Sequence, residues 1–186
     1  MTERLTGAPI NGAEDRGPGA ALEPFVSRTG GFQIGKPDSW HVKEGPADVL
    51  YEGFISRERL DRPNARFVVG MTVMRARDHG SVYGFTSRKP SVMAEQFAEG
   101  LAGLMGEPNK VTPMPSRLDK NLYEFKIRAG AGEDCREMWL VARPGSKEWF
   151  HALWEAPCDE AREQNLIGLM KDMAATLKLE RKWGEK

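Results

Sequence analysis

Three apolar segments in close succession, at 122–128, 135–143 and 148–156, constrain this chain more than any other feature, because the links between them are so short. Ala129-Gly130-Ala131-Gly132-Glu133-Asp134 joins the first pair and Pro144-Gly145-Ser146-Lys147 the second. A parallel crossover needs about a dozen residues or more, so links of this size with glycine in them predict antiparallel hairpins. In the first segment Tyr123, Phe125 and Ile127 alternate with Glu124, Lys126 and Arg128, which predicts one buried face and one wet face.

Earlier in the chain, Phe32-Gln33-Ile34 alternates and Pro37-Asp38-Ser39-Trp40 reads as a turn carrying a large aromatic anchor. Residues 49–55 predict a second strand. Residues 66–74 predict a third, with Phe67, Val69, Met71 and Val73 on one side and Val68, Thr72 and Met74 on the other. Apolar residues on both sides predict a central strand covered on each face. After a loop at 78–89, Met93, Phe97, Leu101, Leu104 and Met105 recur at helical spacing over 92–105, and Gly106 and Pro108 mark the stop. Residues 110–116 make a weak strand. A last helix is expected from Asp159, as its cap, to about residue 179, with a stripe of Leu166, Leu169, Met170, Met173 and Leu177. This order has too few helices for a doubly wound parallel sheet. It predicts an α+β fold in which an antiparallel sheet of about six or seven strands is flanked by helices, an α/β/α sandwich.

Residues 1–29 mix glycine, proline and charge with few large apolar side chains, so they are expected to form a disordered N-terminal arm, followed by one domain over 30–180 and a tail at 181–186. The 27 basic and 27 acidic side chains balance, which gives no bias toward nucleic acid. The longest uncharged apolar run, at about 67–74, is far shorter than the roughly 20 residues a spanning helix needs, so no membrane span is expected. The first residues carry no export signal, which leads to an expected cytoplasmic location unless a native signal or lipid anchor precedes them. Cys135 and Cys158 form no CxxC; reduced thiols are expected, with a single disulfide left open.

The opening Gly31-Phe32-Gln33-Ile34-Gly35-Lys36-Pro37-Asp38-Ser39-Trp40, the unit from Lys89-Pro90-Ser91 to Gly106, and the close Trp149-Phe150-His151-Ala152-Leu153-Trp154-Glu155-Ala156-Pro157 before a long helix together resemble the PsbP-like superfamily. The resemblance covers about residues 31–180 and implies an α/β/α sandwich whose usual role is binding other proteins. The superfamily includes extrinsic photosystem subunits, a Ran-binding nuclear transport factor, bacterial lipoproteins, and the Eag chaperones that shield transmembrane segments of type VI secretion effectors. The arm before Gly31 and the loop at 78–89 depart from that pattern.

His41, His79 and His151 are far apart and show no metal-ligand spacing; no metal or other cofactor is expected. Gly130-Ala131-Gly132 begins like a phosphate-binding loop, but a strand follows where that loop needs a helix N-terminus, so a hairpin turn is the better account. Ser27, Ser39, Ser56 and Ser81 lack the context of a nucleophile, and no enzyme activity is expected. Trp139, Trp149, Phe150 and Trp154 concentrate on two consecutive strands. They serve either as core or as a binding groove, and Trp149, Phe150 and Trp154 are the candidates for contact with a ligand. Arg57 and Arg59, in a charged run after the second strand, are candidates for pairing with an acidic protein patch through their guanidinium forks. The expected function is a non-enzymatic protein-binding module acting through a sheet face or groove. The alternatives are an Eag-like cytoplasmic chaperone for apolar segments, and a small-molecule or lipid-binding module lined by some of the nine methionines.

Overall fold

A computed structural model describes residues 21–46, 50–77, 84–115, 120–145 and 147–180. In chain order the elements are β1 (Leu22–Ser27), β2 (Phe32–Pro37), β3 (His41–Glu44), β4 (Leu50–Ser56), β5 (Gly70–Arg77), α1 (Pro90–Leu104), β6 (Asn109–Met114), β7 (Tyr123–Ala129), β8 (Arg136–Pro144), β9 (Glu148–Pro157), α2 (Cys158–Glu163), α3 (Leu166–Ala175) and β10 (Lys178–Leu179). Seven strands form one sheet in the order β3-β4-β5-β9-β8-β7-β6. Every neighbouring pair in it is antiparallel. The α+β class, the antiparallel sheet and its size therefore stand as expected, and both short links are hairpin turns. Gly130 and Gly132 adopt φ of 79° and 56° there, a region glycine enters without the steric cost of a Cβ.

β9 is the middle strand, and its alternation sends side chains into two separate cores. Phe150, Ala152 and Trp154 join Met71, Val73, Trp139 and Val141 beneath α2, α3 and a small three-stranded sheet, β1-β2-β10. Trp149 joins Phe125, Ile127, Met138 and Leu140 beneath α1. α1 presents Met93, Ala94, Ala98 and Ala102, and its alanines let the helix backbone approach the sheet closely. Met93 is buried and Phe97 and Leu101 pack against this core as the helical stripe expects, whereas Leu104 is 86 % exposed and Met105 is also exposed, so the stripe fails at its last turn.

Five further expectations change. The predicted arm extended to residue 29, yet Leu22–Ser27 pairs along its whole length with β2, and Phe25 packs edge-on against Phe32 at 6.0 Å. Residues 1–20 and 181–186, like the 78–83 part of the predicted loop, lie outside the described residues. The single last helix is two: Asn165 takes a left-handed conformation, φ 49° and ψ 38°, which ends α2 and redirects α3. Pro157 occupies the N-cap position expected of Asp159, with no side-chain cap bond. After Thr176 the chain forms β10 against β2 in place of more helix. Finally, Cys135 and Cys158 are joined as a disulfide, with Cα atoms 5.4 Å apart, against the expectation of free thiols. Hairpin pairing brings the start of β8 beside the end of β9, and the Cys158 N–H donates to the Cys135 carbonyl at 3.0 Å.

Candidate functional site

Trp149, Phe150 and Trp154 have no exposed surface, so their proposed role as a groove is corrected: they are core. The physical reason is position. β9 is central, one face lies under α1 and its aromatic neighbours, and the other lies under α2, α3 and the small sheet, so large side chains are consumed on both sides. The Trp149 indole N–H donates to His151 Nδ1 at 2.8 Å, and the rings of Phe85 and Phe97 pack on Trp149 at 5.0 and 4.9 Å. Burial holds the His151 imidazole neutral, pushing its pKa down to about 3. Arg57 and Arg59 are exposed, but the chain's own carboxylates engage them. Arg57 Nη1 donates to Glu160 at 2.7 Å and its Nε to Glu58 at 3.0 Å; Arg59 Nη2 donates to Asp61 at 2.7 Å. Glu58 also accepts the N–H groups of Val68 and Val69, so this cluster braces the 57–69 loop against α2.

Ser27 and the two cysteines have structural roles. Ser27 is fully buried, its Oγ accepts the Gly30 N–H at 2.7 Å, and it bonds the Tyr51 hydroxyl and Glu44. The cystine leaves neither Cys135 nor Cys158 as a thiolate. Among the described residues, no group of three or more His, Cys, Asp or Glu is placed to hold a metal ion.

Two surfaces remain. On the α1 side of the main sheet, the helix lies over β6, β7 and β8. The rest of that face carries Leu50, Phe54, Thr72, Met74 and Leu153, with Glu52 and Glu155 among them, all exposed or half-buried. Register places Phe54, Thr72 and Leu153 in one row across β4, β5 and β9, and Glu52 and Met74 in the next. Phe67 closes the margin, edge-on to Phe54 at 5.9 Å. Thr72 and Met74 were expected to be covered; α1 is one helix wide and stops short of them. The alternation of β4 and β5 contained this face, but only the pairing order reveals which strands α1 leaves bare. Burial raises the Glu155 carboxyl pKa, with the Arg136 charge opposing the shift.

On the opposite side, β7, β8 and α3 enclose a cleft of about 240 Å³. Register puts Glu124 and Trp139 on one face of the sheet, since Glu124 pairs Val141 and Lys126 pairs Trp139. Glu124 is 8 % exposed and Trp139 3 %. The Trp139 indole N–H donates to Glu124 Oε2 at 3.3 Å, and Lys171 from α3 sets its ammonium 5.3 Å from the centre of the Trp139 ring. Alternation places Glu124 on a wet face, and α3 covers it; the expected last helix spans Lys171, but nothing in its pattern shows that it breaks at Asn165 and lies beside Glu124. Nothing in the spacing of Glu124, Trp139 and Lys171 along the chain signals their meeting.

No family model matches the chain, and neither does any curated protein. Solved structures do. The architecture, a large antiparallel sheet with a small sheet and few helices, is shared with two of them. It is similar to cyanobacterial PsbP (CyanoP) from Synechocystis sp. PCC 6803, with a TM-score of 0.54 and 11 % identity over 95 % of this chain and 99 % of that one. It is also similar to the Ran-binding protein Mog1p of Saccharomyces cerevisiae, with a TM-score of 0.55 and 9 % identity over 86 % of this chain and 96 % of that one. At such identities the likeness shows the fold alone.

Proposed function

We propose that this chain is a non-enzymatic protein-binding module that uses the bare half of its main sheet, the surface over β4, β5 and the adjoining part of β9. The observation that carries the reading is the asymmetry of the sandwich: one face of the sheet lies under α2, α3 and the small sheet, whereas on the other a single helix covers three strands and leaves Phe54, Met74 and Leu153 half-buried beside it. Contiguous apolar surface with a polar margin is what a partner-binding face offers. The Ran-binding protein Mog1p, similar in fold, supports a protein partner for this architecture, without naming the one for this chain. The chaperone alternative requires apolar concavity around the 149–154 strand, and the burial of Trp149 and Trp154 argues against it there. Among the described residues no helix is long and apolar enough to cross a membrane. On location, the cystine weighs against the expected cytoplasm, where thiols are kept reduced.

A photo-crosslinking residue at Met74, compared with one at Glu99 on the outer side of α1, tests the proposal in the native host. Specific heteromeric adducts from position 74, competed by the unlabelled chain and absent from position 99, are expected. Adducts of equal yield at both positions, or none at position 74, overturn it.

A further inference from the structure

The cystine lines a cleft of about 640 Å³ between the start of β6, the turn at 129–134 and the start of α2. Cys135 and Cys158 keep 5 % and 7 % exposure, and residues 131–134 of the turn beside them lie in solvent. Register sets Lys110 of β6 directly opposite Arg128 of β7, so two like charges stand side by side on the wall of the same cleft. Such a pair is destabilising unless an anion meets it. One carboxylate, Glu137 on β8, serves both Lys126 at 3.4 Å and Arg128 at 3.8 Å, and among the described residues Lys110 meets none. The acids on the cleft are Glu133, in the exposed turn, and Asp159, which Arg162 already holds at 2.6 Å. Opening the S–S bond leaves the two cysteines adjacent, because Arg136 and Pro157 stay paired beside them and the Cys158 N–H still donates to the Cys135 carbonyl.

We infer that this cleft is a thiol–disulfide exchange site, at which a small peptide thiol bearing free carboxylates forms a mixed disulfide with the chain. Its thiolate attacks one cystine sulfur; a new S–S bond forms there as the Cys135–Cys158 bond breaks, and the bonding electron pair leaves on the other cysteine as a thiolate. A second peptide thiolate attacks the bound peptide's sulfur, giving the peptide disulfide and releasing the second cysteine thiolate, so two peptide thiols are oxidised and the cystine is reduced. Lys110 and Arg128 receive the carboxylates and favour the ionised sulfurs, and Glu133 offers a partner for the peptide's ammonium. Because the main chain holds the cysteines side by side, attack of the free thiolate on the mixed disulfide restores the cystine, which makes the exchange reversible. The cleft shares no residue with the proposed partner face, so either reading stands or falls without the other.

The test exposes the oxidised, folded full chain to glutathione, mercaptoethanol or cysteamine, which are an anionic, a neutral and a cationic thiol, at equal thiolate concentration. Samples are quenched, alkylated and read by intact mass for the mixed disulfide and the reduced pair. Each rate is scaled by the same thiol's rate on dithiodiethanol, a small neutral disulfide. Glutathione is expected to open the cystine at least fivefold faster than cysteamine, at a rate unchanged by urea below the unfolding transition. The Lys110→Gln, Arg128→Gln double variant should keep the dispersed amide spectrum of the parent and bring that preference to twofold or less. A cystine that resists glutathione in the folded chain, a rate that climbs with urea in step with the unfolded fraction, or an unchanged preference in the double variant overturns the inference.

Discussion

Arg75, which has no exposed surface, donates from Nε to Glu148 Oε1 at 3.0 Å while its Nη1 reaches the carbonyls of Gly30 and Gly31 at 2.9 and 2.8 Å. One buried guanidinium thus joins the main sheet to the loop that connects β1 with β2, and desolvation lowers its pKa while Glu148 opposes the shift. Removing Arg75 leaves the buried Gly30 and Gly31 carbonyls without their donor and leaves Glu148 with Arg143 alone, at 2.9 Å, as its arginine partner. Arg75→Ala is expected to lower stability by about 3–5 kcal/mol in urea unfolding. Amide exchange in β2 should accelerate more than in β8, and equal acceleration in the two strands would contradict this bridging role.

His151 gives the pH dependence a definite sign. Its folded pKa, about 3, lies below the ordinary value of 6.5, so the unfolded chain takes up a proton first as pH falls. Stability contributed by the neutral imidazole is therefore complete above about pH 6.5 and declines toward pH 3, at a limiting slope of about 1.4 kcal/mol per pH unit. His151→Gln, which cannot titrate, should lose less stability than the parent between pH 6.5 and 4 in parallel denaturant titrations. Parallel curves would assign the acid sensitivity to other groups.

The cystine closes a loop of 23 residues around the β8–β9 hairpin. Loop-closure entropy of that size amounts to about 3 kcal/mol. The Cys135→Ser, Cys158→Ser double variant should melt about 6–12 °C lower than the oxidised parent. Reduced parent protein should coincide with the double variant in calorimetry, because the hairpin remains otherwise paired.

Burial separates the two aromatic populations by energy. Trp154→Ala opens a void under α2 and α3 and is expected to cost about 3–5 kcal/mol. Phe54→Ser, on the half-covered face, should cost about 1 kcal/mol or less and leave the fold unchanged. A Phe54→Ser variant as unstable as Trp154→Ala would mean that this surface is covered after all.

Glu155→Gln offers a further reading of that same face. Burial raises the Glu155 carboxyl pKa, so its ionised form destabilises the folded chain, and the penalty grows as pH rises through the folded pKa. The variant should therefore melt higher than the parent at pH 8, with the difference closing below pH 4.

Much of this architecture is visible in the order of residues. The links at 129–134 and 144–147 are too short for anything except hairpins, and alternation in β5 and β7 marks the strands. The helix punctuation at Gly106 is equally local. What alternation cannot express is the company a face keeps. Glu124 lies in a polar row and is buried because α3, 40 or more residues later, returns across it. Thr72 and Met74 lie in an apolar row and are half-bare because α1 is one helix wide. Trp149 and Trp154 look like a binding stripe until the pairing order makes β9 the central strand. The bend at Asn165 and the pairing of Leu22–Ser27 depend on partners distant along the chain, and neither carries a local mark beyond an asparagine and a proline-bearing segment of weak apolarity.

β2 holds β1 on one edge and β10 on the other, and the Glu180 N–H reaches the Gly31 carbonyl at 3.0 Å. The earliest and latest strands of the domain are thereby laced into a single patch of sheet. During synthesis β2 must wait with one edge unpaired until residues 178–180 have left the ribosome. That small sheet is completed only when residues 178–180 arrive, so a nascent polypeptide cut short before that point lacks the stitch that fastens β2 on its second edge.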